Sequence, residues 1–481
     1  MRNNKTIAAA LAAFLACSSA ALAQTLDRTK VPPAGKPPAL HVPTWTKTTL
    51  SNGALLVVSE RHNLPLVSFS ITLVGGANQF ERADRRGVAG LTAAMLSEGT
   101  TTRNGDQLAQ ALQLLGTSVS VGIGDESGSI GFVSTTATLA PTLDILADML
   151  VNSTFPAESL ERLRAQRLVA LTQANAQPGV IGRRVFARVL YGASHPMGQE
   201  PDETSVKAIT RDDVVAWHKA YFRPGRAVIT VVGDVTQAGV QAAVEKALAA
   251  WPAGGDKPAF TYPALPATHP LTIYLVDKPG AAQSTFNIGN PGPPRSTPDY
   301  AALQVMNTIL GGQFQSRLNA NIREEKGYSY GVNSGFSYGK GPGPFRAGGD
   351  IVTAKSDAAL DEFMKELRGI QGSRPVTDEE LKTAKDALIQ RLPGQFASVA
   401  QVGGTITSLI VQGLPDTFYQ EYVKQVSVVT KGDVVRVAKQ YIDLDHASIV
   451  IVGDRATIEG PLKATGVAPI VILDNEGKPK T

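Results

Sequence analysis

The sequence predicts an α+β fold of two lobes with like topology, each built on a mostly antiparallel sheet covered on one face by helices. Two observations carry this. The first is an internal repeat: ITRDDVVAWHKAYFRPGRAVITVVGDVT from Ile209 matches VTKGDVVRVAKQYIDLDHASIVIVGDRAT from Val429. Asp213-Val214-Val215 falls on Asp433-Val434-Val435, Tyr221 on Tyr441, and Val232-Gly233-Asp234 on Val452-Gly453-Asp454. The second is a change of apolar period along both halves. Alternating or β-branched runs at ALLVVSE, PLVSFSITLVGG, SGSIGFVSTTA, LTIYLVD and PFRAGGDIVTA read as strands. Helical spacing appears at GVAGLTAAMLSEGT, DQLAQALQLLG, APTLDILADMLVN, ESLERLRAQRLVALTQA, YAALQVMNTILGG, DAALDEFMKELRGI and TDEELKTAKDALIQRL. Strand pairs with helices grouped between them make an antiparallel sheet with a helical cover.

The elements follow in order. Residues 1–23 read as a signal peptide, with Arg2 and Lys5, an apolar stretch from Ile7 to Leu15, and Ala21-Leu22-Ala23 as the cleavage site. The stretch is shorter than the roughly 20 apolar residues of a membrane span, and no integral membrane segment is expected elsewhere. A lipid-bearing Cys17 is the competing reading, for which Phe14-Leu15-Ala16 is a poor match. Cleavage after Ala23 would remove the only cysteine and place the protein in the periplasm or outside the cell, without disulfides or thiol chemistry. Residues 24–47 form a proline-rich leader, 48–250 the first lobe, 251–270 a linker (WPAGGDKPAFTYPALPATHP), 271–460 the second lobe and 461–481 a tail.

Bulk charge excludes one class of partner. The formal net charge of +4 is spread along the chain with no lysine/arginine run, so nucleic acid is not an expected partner. The six histidines (His41, His62, His195, His218, His269 and His446) are scattered, none at helical ligand spacing to another. His195, in YGASHPMG, reads as a turn residue. The glycine-rich SYGKGPGPFRAGG lacks the Gly-Lys-Ser/Thr order of a phosphate loop and reads as a hairpin connection.

Three longer runs carry a resemblance. GGANQFERADRRGVAGLTAAMLSEGT, followed by LAQALQLLGTSVSVGIGDESGSIGF and LDILADMLVNSTF, resembles the N-terminal half of the pitrilysin/insulinase peptidases, the inverted zincins that include mitochondrial-processing-peptidase-like proteins. LQVMNTILGGQFQSRLNANIREEKGYSYGV resembles their C-terminal repeat. The resemblance implies two lobes in a clamshell arrangement. In the family, H-x-x-E-H puts two zinc-binding histidines on one helix face and a general-base glutamate beside them, and a further glutamate from a later helix completes the ligand set. Here the histidine positions are Gly90 and Ala94, the base position is Ala93, and Gln173 is the nearest candidate for the third ligand between Leu168 and Ala174. None of the first three can bind a metal or move a proton. No cofactor is therefore expected in this chain.

The second half keeps the family's other motif. Arg323 and Tyr330 in IREEKGYSYG match the arginine and tyrosine that, by resemblance, hold substrate carbonyl oxygen and steady the oxyanion. Alternation puts Tyr328 on the same face as Tyr330, bordering that site. The competing reading is an arginine favoured by a helix dipole and a half-buried packing tyrosine. The resemblance thus implies a zinc-less subunit that would supply these residues to an H-x-x-E-H partner carrying the zinc, acting on peptides or unfolded segments. The alternative is a peptide-binding or assembly scaffold with no part in hydrolysis.

Overall fold

The computed structural model describes residues 39–255 and 260–480. The expected signal peptide, most of the leader and residues 256–259 of the linker lie outside the described residues.

In the first half, β-branched residues build β1 (Thr46–Thr49), β2 (Leu55–Glu60) and β3 (Leu66–Val74). After a single helical turn at Ala77–Phe80 come α1 (Val88–Met95), α2 (Gly105–Leu114), β4 (Ser120–Ile123) and β5 (Ser127–Thr135). Five helices follow: α3 (Leu139–Val151), α4 (Ala157–Ala174), α5 (Pro178–Tyr191), α6 (Glu203–Ala208) and α7 (Arg211–Tyr221). β6 (Ala227–Gly233) and α8 (Gln237–Ala247) close the half.

The second half repeats the scheme. β7 (Thr272–Asp277), β8 (Gln283–Pro291) and α9 (Tyr300–Leu310) lead to a π-helical segment at Asn319–Glu325. Then come β9 (Ser329–Phe336), β10 (Pro344–Val352), α10 (Ser356–Arg368), α11 (Asp378–Gln390), α12 (Val399–Val411), α13 (Phe418–Val428) and α14 (Lys431–Tyr441). β11 (Ser448–Gly453), α15 (Arg455–Ala464) and β12 (Ile470–Leu473) end it.

Each half contributes one six-stranded sheet, in the orders β1-β2-β6-β3-β5-β4 and β12-β7-β11-β8-β10-β9. Setting the edge strands β1 and β12 aside, the two orders are the same, and β6 and β11, the strands that end in Gly233 and Gly453, hold equivalent places. Both sheets are mixed, because β6 runs parallel to β2 and β11 parallel to β7, while most pairings are antiparallel. The helix before each equivalent strand starts with the same box: Thr210 Oγ1 accepts the Asp213 amide and Asp213 accepts the Thr210 amide, with Thr430 and Asp433 doing likewise. β12 pairs in parallel with β7. The segment read as a tail is therefore the edge of the second sheet.

One expectation fails in an informative way. Neither sheet is covered on one face only, because each half lends a helix to the other. Val402 and Ile406 of α12, with Phe396 before it, pack on Val57, Val228 and Val232 of the first sheet. Reciprocally, Ile181, Val185 and Phe186 of α5 pack on Val276, Val450 and Val452 of the second. This is why all seven residues of β6 and all six of β11 are buried. A hydrogen bond between the Thr230 and Thr407 hydroxyls, 2.8 Å, crosses the first of these interfaces.

The glycine-rich run adds a second tie. It connects β9 to β10, and its Lys340 and Gly341 amides donate to the Glu126 carboxylate at 2.8 and 3.1 Å, from the turn joining β4 to β5. Successive backbone N–H groups around one carboxylate make a small anion nest. Tyr262 of the linker donates to the same carboxylate at 2.9 Å. His195 is 3% exposed and stacked between Tyr191 and Tyr262, so it serves packing, and burial pushes its imidazole below the ordinary value.

Candidate functional site

Gly87 opens α1 in the left-handed region, at φ 99°, which a residue without Cβ adopts at little cost. Glu81 caps the helix from outside. Its carboxylate accepts the amides of Gly87 and Ala89 at 3.1 and 2.8 Å, two of the donors a helix start leaves unpaired. The group is almost wholly buried, and desolvation raises its pKa although the amides and the Arg86 guanidinium, 3.8 Å away, oppose the shift. Arg86 in turn donates to the Gln199 side chain from Nε and Nη2, at 3.1 and 2.6 Å. Neither Glu81 nor Arg86 was singled out in the sequence, because their partners are set by tertiary structure.

The face of α1 thus presented lines a cavity of about 910 Å³. Gly90 and Ala94, one turn apart, are on its floor, and a Cβ placed on Gly90 would meet nothing within 4 Å. Ala93 is 4% exposed and does not line the cavity. From α4 the wall is made by Leu163, Gln166, Arg167, Ala170, Leu171 and Ala174, with no His, Cys, Asp or Glu among them. Gln173 is on that helix but exposed and outside the lining, so it is not the residue that α4 turns toward Gly90 and Ala94. Helical geometry is the reason, since a one-residue step turns a side chain by 100°. Zinc requires three protein electron-pair donors, and glycine, alanine and leucine offer none. Among the described residues no group of three or more His, Cys, Asp or Glu is arranged to hold a metal ion. The donor set does not fit zinc.

Arg323 and Tyr330 are elsewhere, and neither lines this cavity. Arg323 sits in the π-helical segment, a wide turn that is frequent at functional sites. Its guanidinium lies 4.3 Å over the Phe314 ring, and Nε is 3.3 Å from Glu324. Tyr330, on β9, is 90% exposed. Tyr328 does not share its face. Ile351 pairs with Ser329 but Gly349 with Val332, so Tyr330 and Gly331 together oppose Asp350 in a bulge that breaks the alternation. Tyr328 instead packs against the core of the second half, with the Lys355 ammonium 5.8 Å from its ring.

The fold and site define a class: two lobes of one topology, with a cavity against α1 whose floor, at Gly90 and Ala94, offers no zinc donor. Comparison with known proteins gives the class its family. The profile described as insulinase, peptidase family M16, matches residues 56–190, and that described as peptidase M16 inactive domain matches residues 208–388. An uncharacterised zinc protease of Mycobacterium leprae is 27% identical over 346 residues, covering 71% of this chain and 77% of that protein. The non-peptidase homologue YmxG of Helicobacter pylori is 23% identical over 408 residues, 83% of this chain and 92% of that one. The crystal structure of a peptidase M16 inactive domain from Pseudomonas fluorescens superposes with a TM-score of 0.78 at 27% identity, covering 85% of this chain and 98% of that one. The chain belongs to the insulinase (M16) family, as a zinc-less, non-catalytic member.

Proposed function

We propose that the protein is the zinc-less subunit of a two-subunit peptidase, lending Arg323 and Tyr330 to a partner of the same family that bears H-x-x-E-H and the zinc. The observation that carries this is the exposure of Tyr330. A packing tyrosine would be half-buried, whereas this one projects from a bulge into solvent. Arg323 is one-third exposed, with guanidinium donors to spare, and the exposed Phe314 ring beneath it restrains its direction. Such groups suit electrophilic assistance: a fork of donors for peptide carbonyl oxygens and a phenol for developing negative charge. Peptides or unfolded segments are the substrates this reading implies. Residues 1–23, read as a signal peptide, support a periplasmic or external location for the pair, and mass spectrometry of the exported chain, expected to start at Gln24, tests that location.

The test of the pairing is kinetic. The chain is mixed with an H-x-x-E-H subunit recovered by co-purification, and kcat and KM are measured on an unstructured peptide. Tyr330→Phe keeps the ring and removes one donor, so kcat should fall by roughly 10²–10³-fold with assembly intact. Arg323→Ala should also raise KM, because carbonyl contacts exist before the transition state. Unchanged kinetics in an assembled complex would leave the scaffold reading in place of this one.

A further inference from the structure

The cavity beside α1 has lost the side chains that hold a cation and carries cations on its walls. Of the four arginines that line it, Arg86 and Arg184 have carboxylate partners, Glu81 at 3.8 Å and Glu200 at 3.0 Å. Arg167 of α4 and Arg183 of α5, both lining the cavity, have none among the described residues. The Arg183 guanidinium also lies near a second cation, Arg346. Arg346 of β10 is held below the ordinary arginine value first by burial and then by the Arg183 guanidinium, and its own hydrogen bonds go to the neutral side chains of Asn287 and Asn333.

Shape and chemistry narrow the ligand. A volume of about 910 Å³ is in the range of small-molecule sites, roughly 300–1,000 Å³. The open space over Gly90 adjoins the apolar wall of Ala170, Leu171 and Ala174. Glu81, Asp125 and Glu200 share the cavity, so a dianion would meet like charge where a monoanion meets less. A guanidinium fork matches a planar carboxylate in bidentate geometry.

We propose that this cavity is a carboxylate-binding site for peptides, with Arg167 and Arg183 as its cationic arms and the space over Gly90 holding an apolar residue next to the carboxylate. A peptide C-terminus joins the two features in one residue and is the form of ligand that fits best. The site needs neither metal nor partner and is independent of the role of Arg323 and Tyr330.

Isothermal titration of the full chain tests this with four probes: N-acetyl-Ala-Ala-Leu as the free acid, the same peptide as its C-terminal amide, N-acetyl-Glu-Leu amide, and inorganic phosphate. The free acid should bind, and the C-terminal amide should bind at least tenfold more weakly. Arg167→Gln/Arg183→Gln should abolish binding of the acid while its thermal unfolding stays that of the parent chain. If that variant does not fold, Gly90→Leu, whose side chain enters open space, should block the site with both charges in place. Tight binding of the Glu-bearing amide would keep the carboxylate site and assign it to side chains rather than chain ends. Equal binding of acid and amide, undiminished binding by a folded variant, phosphate binding tighter than the acid, or no binding of any peptide at millimolar concentration would overturn the proposal.

Discussion

The helix exchange can be tested at two glycines that hold the same place in their helices, Gly182 as fifth residue of α5 and Gly403 as fifth of α12. Replacing an interior helical glycine by alanine is worth about 1 kcal/mol in propensity, and this gain is common to both sites. The packing differs. A Cβ on Gly403 would meet Val232, Ser68 and Thr230 at 3.6–4.0 Å, which is ordinary contact. A Cβ on Gly182 would come within 2.6 Å of Asn287 Nδ2. Asn287 is fully buried, and its Oδ1 holds the Arg346 guanidinium, so its amide cannot swing aside without breaking that bond. Overpacking of this kind costs about 1–3 kcal/mol. Gly403→Ala should therefore be neutral or stabilising by up to about 1 kcal/mol, and Gly182→Ala less stable than it by about 1–3 kcal/mol. Urea unfolding with a shared m-value reads the difference directly from the midpoints. Equal midpoints would refute the close seating of α5 on the second sheet.

Three further outcomes are expected. Hydrogen bonds from Arg317, at 2.7 and 2.9 Å, and from the Thr377 amide outweigh the desolvation that acts on Glu380 and hold its carboxyl at about 2. Because that value lies below the ordinary 4.5, its contribution to stability is full above about pH 4.5 and is lost as the pH falls toward 2; Glu380→Gln should flatten the urea midpoint over that window, and an unchanged slope would refute it. Glu126→Ala leaves the Lys340 and Gly341 amides and the Tyr262 hydroxyl without their acceptor and should cost about 1–3 kcal/mol, with faster proteolysis of the 337–343 loop as the readout. Gly90→His/Ala93→Glu/Ala94→His should still hold less than one zinc per chain by metal analysis, since α4 lines the cavity without a His, Cys, Asp or Glu to serve as third donor.

Much of the architecture was legible because it is written locally. β2, β3, β5, β7 and β10 show their period within single runs, and the boxes Thr210/Asp213 and Thr430/Asp433 mark the same helix start in both copies. The exchanged helices were not legible. PGVIGRRVFARVLY and VAQVGGTITSLIV owe their burial to a sheet formed by residues far away in sequence, and nothing in either run names that sheet. The same holds for the site. Loss of the donors at Gly90, Ala93 and Ala94 is a matter of residue type and can be read directly. The arginines lining the cavity depend on how α4 and α5 are turned, and the separation of Tyr328 from Tyr330 depends on a bulge set by pairing with β10.

The lending of α12 to the first sheet has a consequence during synthesis. Strands β2 and β6 are complete once Gly233 has left the ribosome, but Val57, Val228 and Val232 then lack the helix that covers them until Val411 follows. At ~5–20 residues per second, the roughly 180 residues between take on the order of 10–40 s, long compared with collapse of the nascent chain. During that interval the first half presents an apolar sheet face that its own helices cannot reach. A chain cut after the linker should therefore be sticky and protease-sensitive rather than a stable half-molecule, and a cell making this protein has reason to keep it unfolded until translation is finished.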